Sequence, residues 1–313
     1  TATGPLVDYT YADNGVYDVT LTVSDGDGGI DTALISVTVS NIAPTITTFP
    51  GDIEILEGQT VNFDALASDP HDAGLSYSWD FGDDVLGSGQ STSHTYLDDG
   101  IYVVTLDVSD GDDITTDTLV VTVGNVDPTI TLLTGDSSVG EGLLANFAAA
   151  ATTPGTDTLI YTWHFDDLSD DSVGAGVSHT FADDGVYTVT LTVTDQGVGQ
   201  TTADFIVSVT NTAPIITGAS GDQTAQEGPG GSADFSGSAS DAGDDTLTYT
   251  WNFGDGSAPQ NGQDVTHSYA DSGSFTASLV VVDGDGGMAT RQMPVTVVDN
   301  LPPTAMLSND GPV

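Results

Sequence analysis

The sequence predicts an all-β chain of tandem seven-stranded β-sandwiches in an elongated array, and three recurring landmarks carry that prediction. Asn41-Ile-Ala-Pro44, Asn125-Val-Asp-Pro128, Asn211-Thr-Ala-Pro214 and Asn300-Leu-Pro-Pro303 follow one another at 84, 86 and 89 residues. Trp79, Trp163 and Trp251, in YSWDFGDD, YTWHFDD and YTWNFGD, are spaced by 84 and 88. The run YDVTLTVSD at 17–25 returns as YVVTLDVSD at 102–110, YTVTLTVTD at 187–195 and FTASLVVVD at 275–283. Landmarks sharing a period of this size mark a repeated module.

The third landmark is the clearest strand. Tyr187, Val189, Leu191 and Val193 fall on one face and Thr188, Thr190, Thr192 and Thr194 on the other, a period of two with β-branched residues on the outer face. No helical period lasts beyond a turn or two. In the unit opened by Asn41, similar runs predict strands near 45–49, 53–56, 60–66, 75–81, 91–96, 101–109 and 114–124. Seven short strands separated by Gly and Asp turns describe a two-sheet sandwich. The last strand runs almost directly into the next Asn-x-x-Pro, which leaves no flexible linker and predicts nearly rigid beads.

The expected boundaries are 1–40, the C-terminal half of a repeat; 41–124, 125–210 and 211–299, whole repeats; and 300–313, the start of a further one. A half sandwich exposes unpaired strand edges. The expectation is therefore a chain cut from a longer array, with ends that complete one another in a filament as the alternative.

Composition sets the surroundings. Of 313 residues, 38% are apolar, enough for two or three cores. Against 47 acidic residues stands one basic side chain, Arg291, for a formal net charge of −46. Such a chain requires salt or divalent cations to screen its own repulsion, and it disfavours nucleic acid, anionic membranes and acidic partners. Only Glu54, Glu57, Glu141 and Glu227 are glutamates. The bias to aspartate suits short coordinating loops and points to Ca2+, while a salt-adapted surface accounts for the same charge. The absence of cysteine excludes disulfides and thiolate chemistry. No run reaches the roughly 18 apolar residues of a membrane helix.

Taken together, the opening Asn-x-x-Pro, the strand and Asp loop from Phe63 to Asp72 and from Phe235 to Asp245, Tyr-x-Trp-Asp-Phe-Gly-Asp at 77–83, His94-Thr-Tyr96 and the Asp99-to-Asp110 strand resemble the PKD domain, an Ig-like module. The likeness extends over essentially the whole chain. It implies tandem Ig-like (PKD) sandwiches of extracellular and cell-surface proteins, used as spacers, adhesion modules or contacts for proteins and polysaccharides. Bacterial members accompany secreted proteases, glycan-degrading enzymes and surface-layer or filament proteins, and some bind Ca2+ near the module's N-terminal end. The unit 125–210 departs from the pattern, with Thr153 where its neighbours have Asp69 and Asp241, His164 where they have Asp80 and Asn252, and Asp166 at the Gly turn. If the loop aspartate is a ligand, this unit's site is weakened or lost.

Each tryptophan has aromatic residues two positions to either side on the same face, Tyr77 and Phe81 around Trp79 for example, which reads as inter-sheet core. His94, His179 and His267 lie one module apart and cannot converge on one metal, so each reads as a structural histidine tying a turn to a strand. His71 and His164 have no repeat partners and read as surface residues. The Ca2+ candidates combine the junction asparagine, the loop acids and the acid closing the long strand. They are Asn41, Asp69, Asp72 and Asp110, and Asn211, Asp241, Asp244 and Asp283. The same aspartates serve equally as turn caps.

No nucleophile, zinc or phosphate-loop motif is present. The reading is a non-catalytic structural segment of a secreted or surface protein, as rod, stalk, filament or surface-layer component, stiffened by Ca2+. Its partners would be further repeats of the same protein in a homo-oligomer or filament. Adhesion to polysaccharide or a protein, or a spacer role in a secreted hydrolase, is the alternative.

Overall fold

In the computed structural model the described residues are 2–70, 74–197, 199–220 and 223–300. His71, Asp72 and all but Asn300 of the segment expected at 300–313 lie outside them. Every regular element among the described residues is a strand. The chain divides into two compact units, 1–129 with 152–159 and 194–201, and 130–151 with 160–193 and the residues from 202 onward.

Within the first unit, the repeat opened by Asn41 shows the architecture. Its larger sheet has five strands in the order Ile53–Leu56, Ile114–Gly124, Gly100–Ser109, Ser76–Asp80 and Leu86–Ser88. Ile53–Leu56 runs parallel to Ile114–Gly124, and the other neighbours are antiparallel. The opposing layer pairs Thr45–Thr48 with Leu66–Ser68 and Thr60–Asp64 with Ser91–Thr95. Alternation places Val104, Leu106 and Val108 inward, against Val61, Phe63 and Trp79. The fold class is the one the sequence predicts, a two-sheet sandwich repeated along the chain.

Two local differences have physical causes. The run expected at 60–66 is broken at Ala65, whose N–H donates to the Gln90 carbonyl at 2.9 Å. This kink lets one continuous stretch change partners, from Ser91–Thr95 to Thr45–Thr48. Leu86–Ser88 is a short strand beyond the seven expected from sequence. Gly87 is required because a Cβ there would lie 2.7 Å from the Phe81 ring.

In the second unit the repeat 211–299 has the same two layers. Five strands follow the order Gln223–Gln226, Met288–Val298, Gly273–Val282, Thr248–Asn252, Gln260–Asn261, opposite Ile215–Ala219, Ala233–Ser240 and Asp264–His267. The repeat 125–210 has a three-stranded and a five-stranded sheet in matching order. At the other end of the sequence, Gly15–Ser24 and Ile30–Val39 form an antiparallel hairpin. Its inward-type positions Val19, Leu21 and Val23 are exposed.

The three tryptophans are fully buried, and each indole N–H donates to a glycine carbonyl: Gly89 at 3.0 Å, Gly174 at 2.8 Å and Gly262 at 3.2 Å. A sugar-stacking role for these rings is therefore excluded. Each repeat histidine caps this core. His94, His179 and His267 bond Asp83, Asp167 and Asp255 at 2.6, 2.6 and 2.8 Å, and lie flat on Phe81, Phe165 and Phe253. His164 is exposed and pairs with Asp171 at 2.9 Å.

Candidate metal centre at the repeat junctions

Where one repeat hands over to the next, a glutamate followed by glycine reaches across. In the first unit Glu57 is 2% exposed, and its Oε1 accepts from the Val126 N–H at 3.0 Å and from Thr153 Oγ1 at 3.4 Å. In the second, Glu141 is 0% exposed, and its Oε1 accepts from the Thr212 N–H at 2.7 Å. In both, Oε2 is buried without a hydrogen-bond partner. An ionised oxygen buried without a donor is costly and needs a proton or a cation.

The surroundings supply more negative charge. Oxygens of Glu57, Asp98 and Asp157 lie within 4.8 Å of one another. Around Glu141 there are three such groups: with Asp241 and Asp245, with Asp183 and Asp184, and Asp183 with Asp245 and Asp285. Two carboxylates at that separation repel by about 3 kcal/mol at an effective dielectric of about 20. Burial, followed by the charge of Asp157, lifts Glu57 above the usual carboxylate range. Burial, then Asp241, Asp184 and Asp183, does the same to Glu141. Desolvation and the neighbouring Asp285 push Asp245 up to about 6. A hard divalent cation would relieve all three, and an all-oxygen donor set is the chemistry that Ca2+ takes.

The sequence-derived candidates fall partly into these clusters. Asn41 Nδ2 donates to Asp110 at 3.0 Å and to Asp113 at 2.8 Å, so these two candidates meet, with Asp113 added. Two backbone N–H groups and Asn41 hold Asp110 below its usual range. Asp69 follows the strand Leu66–Ser68, and Asp72 lies outside the described residues. Asn211 and Asp283 both lie against Gly287. Burial opposes ionisation of Asp283, but Asn211 and the N–H groups of residues 285–287 outweigh it and keep its carboxyl low. Asp241 enters the Glu141 group. Asp244 is exposed and contributes its N–H to the Ala182 carbonyl at 3.0 Å, while its neighbour Asp245 supplies the inward carboxylate.

Glu57 and Glu141 are the residues that sequence reasoning missed. The signal was present: in a chain with four glutamates, three stand before glycine once per repeat, Glu57-Gly58, Glu141-Gly142 and Glu227-Gly228. Glutamate is used because its extra methylene carries the carboxylate into the next repeat. A glycine of the receiving repeat makes the approach possible, since a Cβ on Gly243 would sit 2.9 Å from the Glu141 carboxyl carbon.

Sandwiches of this topology in tandem, with a carboxylate wedge between successive copies, define a repeat protein of the Ig-like class. The chain belongs to the PKD domain family, whose profile matches residues 1–39, 41–123, 125–209 and 211–297. It is 35% identical over 162 residues to Chitinase A of Pseudoalteromonas piscicida, covering 49% of this chain and 18% of that protein. It is 25% identical over 286 residues to polycystin-1 of Homo sapiens, covering 88% of this chain and 6% of that protein. The chain thus spans under a fifth of either relative. Among solved structures, Sidekick-1 immunoglobulin domains 1–5 match at 16% identity over 93% of this chain and 68% of that one, with a TM-score of 0.40.

Proposed function

We propose that this segment is a non-catalytic structural spacer in a secreted or surface-displayed protein, with Ca2+ stiffening its repeat junctions. The observation that carries the reading is the glutamate wedge. A side chain from one repeat is buried and bonded to the backbone of the next, at Val126 and again at Thr212, so the handover is a packed contact and not a linker. A rod, stalk, filament or surface-layer element requires such a joint. The PKD assignment and the similarity to parts of Chitinase A and polycystin-1 support an extracellular or surface setting. No helix among the described residues is long and apolar enough to cross a membrane.

Amide hydrogen exchange tests this directly. The Val126 and Thr212 N–H groups are expected to exchange as slowly as the central strands of the sandwiches. Exchange at the rate of an open linker would refute the spacer reading.

The similarity to Chitinase A favours a second reading, an accessory module of a secreted hydrolase that contacts polysaccharide. Retention of the purified chain on insoluble chitin, absent on an inert matrix, would establish it.

A further inference from the structure

We propose that Glu141, Asp183, Asp241, Asp245 and Asp285 form one divalent-cation site shared by two successive repeats, selective for Ca2+ over Mg2+. The proposal deepens the structural reading and rests on it for its consequence, a stiffened joint, though not for binding itself. It differs from the set expected from sequence, which lies wholly within 211–299. Glu141 and Asp183 come from the repeat 125–210, and Asp245 takes the place of Asp244.

Three observations carry it. Glu141 is fully buried, its carboxylate lies among the acids, and its Oε2 has no hydrogen-bond partner. Asp241 Oδ2 and Asp245 Oδ2 are likewise buried without hydrogen-bond partners. Turn capping does not explain these atoms, because a capping oxygen has a backbone N–H on it. The acid groups also share corners: Glu141, Asp183 and Asp245 each belong to two of the three. A ring of acids linked in this way draws on both repeats.

The donor set favours the larger ion. Ligand oxygens on opposite sides of Ca2+ lie up to about 5 Å apart, against about 4 Å for Mg2+, which also holds its waters and demands a near-octahedral cage. Within each group of three the donor oxygens lie within 4.8 Å of one another, and a set of five carboxylates suits the many-oxygen shell of Ca2+ rather than Mg2+, which is held through one or two. The only basic side chain of the protein, Arg291, is exposed on Met288–Val298, and it takes no part in any described ion pair with these acids.

The Glu57 junction is a reduced copy. Among the described residues it has a single acid group, with Thr153 standing where the other junction has Asp241 and Gly197 where it has Asp285. Thr153 Oγ1 donates to Glu57, so part of the cation's role there is taken by a hydroxyl. The two junctions are therefore unequal, and the tighter site belongs to the second.

Equilibrium dialysis of the 313-residue chain tests this, over about 0.01 to 10 mM free Ca2+, a range that brackets extracellular sites. A Mg2+ background and about 0.5 M NaCl suppress diffuse counterion binding. Glu141→Gln and Asp245→Asn are each expected to weaken the tightest Ca2+ site at least about tenfold, while Glu57→Gln leaves it within about twofold. Glu141→Gln retains an oxygen to accept from Thr212, and unchanged melting in EDTA confirms that it is folded. The proposal is overturned if wild type prefers Ca2+ no more than Mg2+. It is also overturned if Glu141→Gln binds as wild type does while Asp283→Asn loses the site, which would confine the ion to one repeat. Neither result touches the spacer reading, since protection of Val126 and Thr212 is measured separately, in EDTA.

Discussion

Replacing Gly142 by alanine tests whether the repeats are seated as described. Gly142 has φ +66°, and a Cβ added to it would collide with the carbonyl oxygen of Ala242 in the next repeat. Gly228 holds the equivalent position one repeat later, with φ +86° and nothing within 4 Å among the described residues. Both substitutions carry the left-handed backbone cost of about 1–2 kcal/mol. Gly142→Ala adds a clash with backbone, which no side-chain rotation relieves. The joint must open by more than about 1 Å to restore ordinary contact, and that breaks the 2.7 Å bond from Thr212 to Glu141. A hydrogen bond to a charged group contributes about 1.5–3 kcal/mol. Gly142→Ala is therefore expected to cost about 3–5 kcal/mol against about 1–2 for Gly228→Ala. The assay is exchange of the Thr212 amide under native conditions, which isolates the joint from unfolding of whole repeats. Equal effects of the two substitutions, within about 0.5 kcal/mol, would refute the packed joint.

Further outcomes follow from other sites. Burial opposes ionisation of Asp255, yet Ser257 and His267 hold its carboxyl down to about 2 from an ordinary 3.8. Its folded value is the lower one, so its contribution of about 2 kcal/mol is fully present above pH 4 and is lost as pH falls toward 2; Asp255→Asn should flatten that part of the stability profile in acid titration. Asp166, at φ 58°, occupies a turn where the neighbouring repeats use Gly82 and Gly254. Asp166→Gly is expected to raise stability by about 0.5–1 kcal/mol, seen as a later denaturant midpoint for the repeat 125–210. Trp251→Phe removes the donor to the Gly262 carbonyl and leaves a void, costing about 2 kcal/mol in thermal unfolding.

The fold was legible because its determinants are local and repeated. The alternation in YTVTLTVTD places Val189, Leu191 and Val193 inward, and the residues flanking each tryptophan identify the core. What was not legible depends on contacts between elements. Ala65 breaks a strand because Gln90 offers it a carbonyl, and no periodicity reveals that. Asp244 and Asp245 are adjacent acids whose difference is one step of backbone, enough to turn one carboxylate to solvent and the other to the joint. Asn41 with Asp110 was foreseen from the proximity of loop ends. Glu57 and Glu141 were not, because the Glu-Gly pair that recurs in each repeat carries no sign that its acid acts on the following module.

The parallel pairing of Ile53–Leu56 with Ile114–Gly124 has a mechanical consequence. One strand lies near the start of the repeat and the other at its end, so tension applied through the chain draws them along each other. Their hydrogen bonds lie across the direction of pull and must fail together, whereas a hairpin pulled open from one end loses them singly. Single-molecule extension should therefore show repeats that yield abruptly at high force. The pairing that closes the sheet at rest is also the clasp that carries the load.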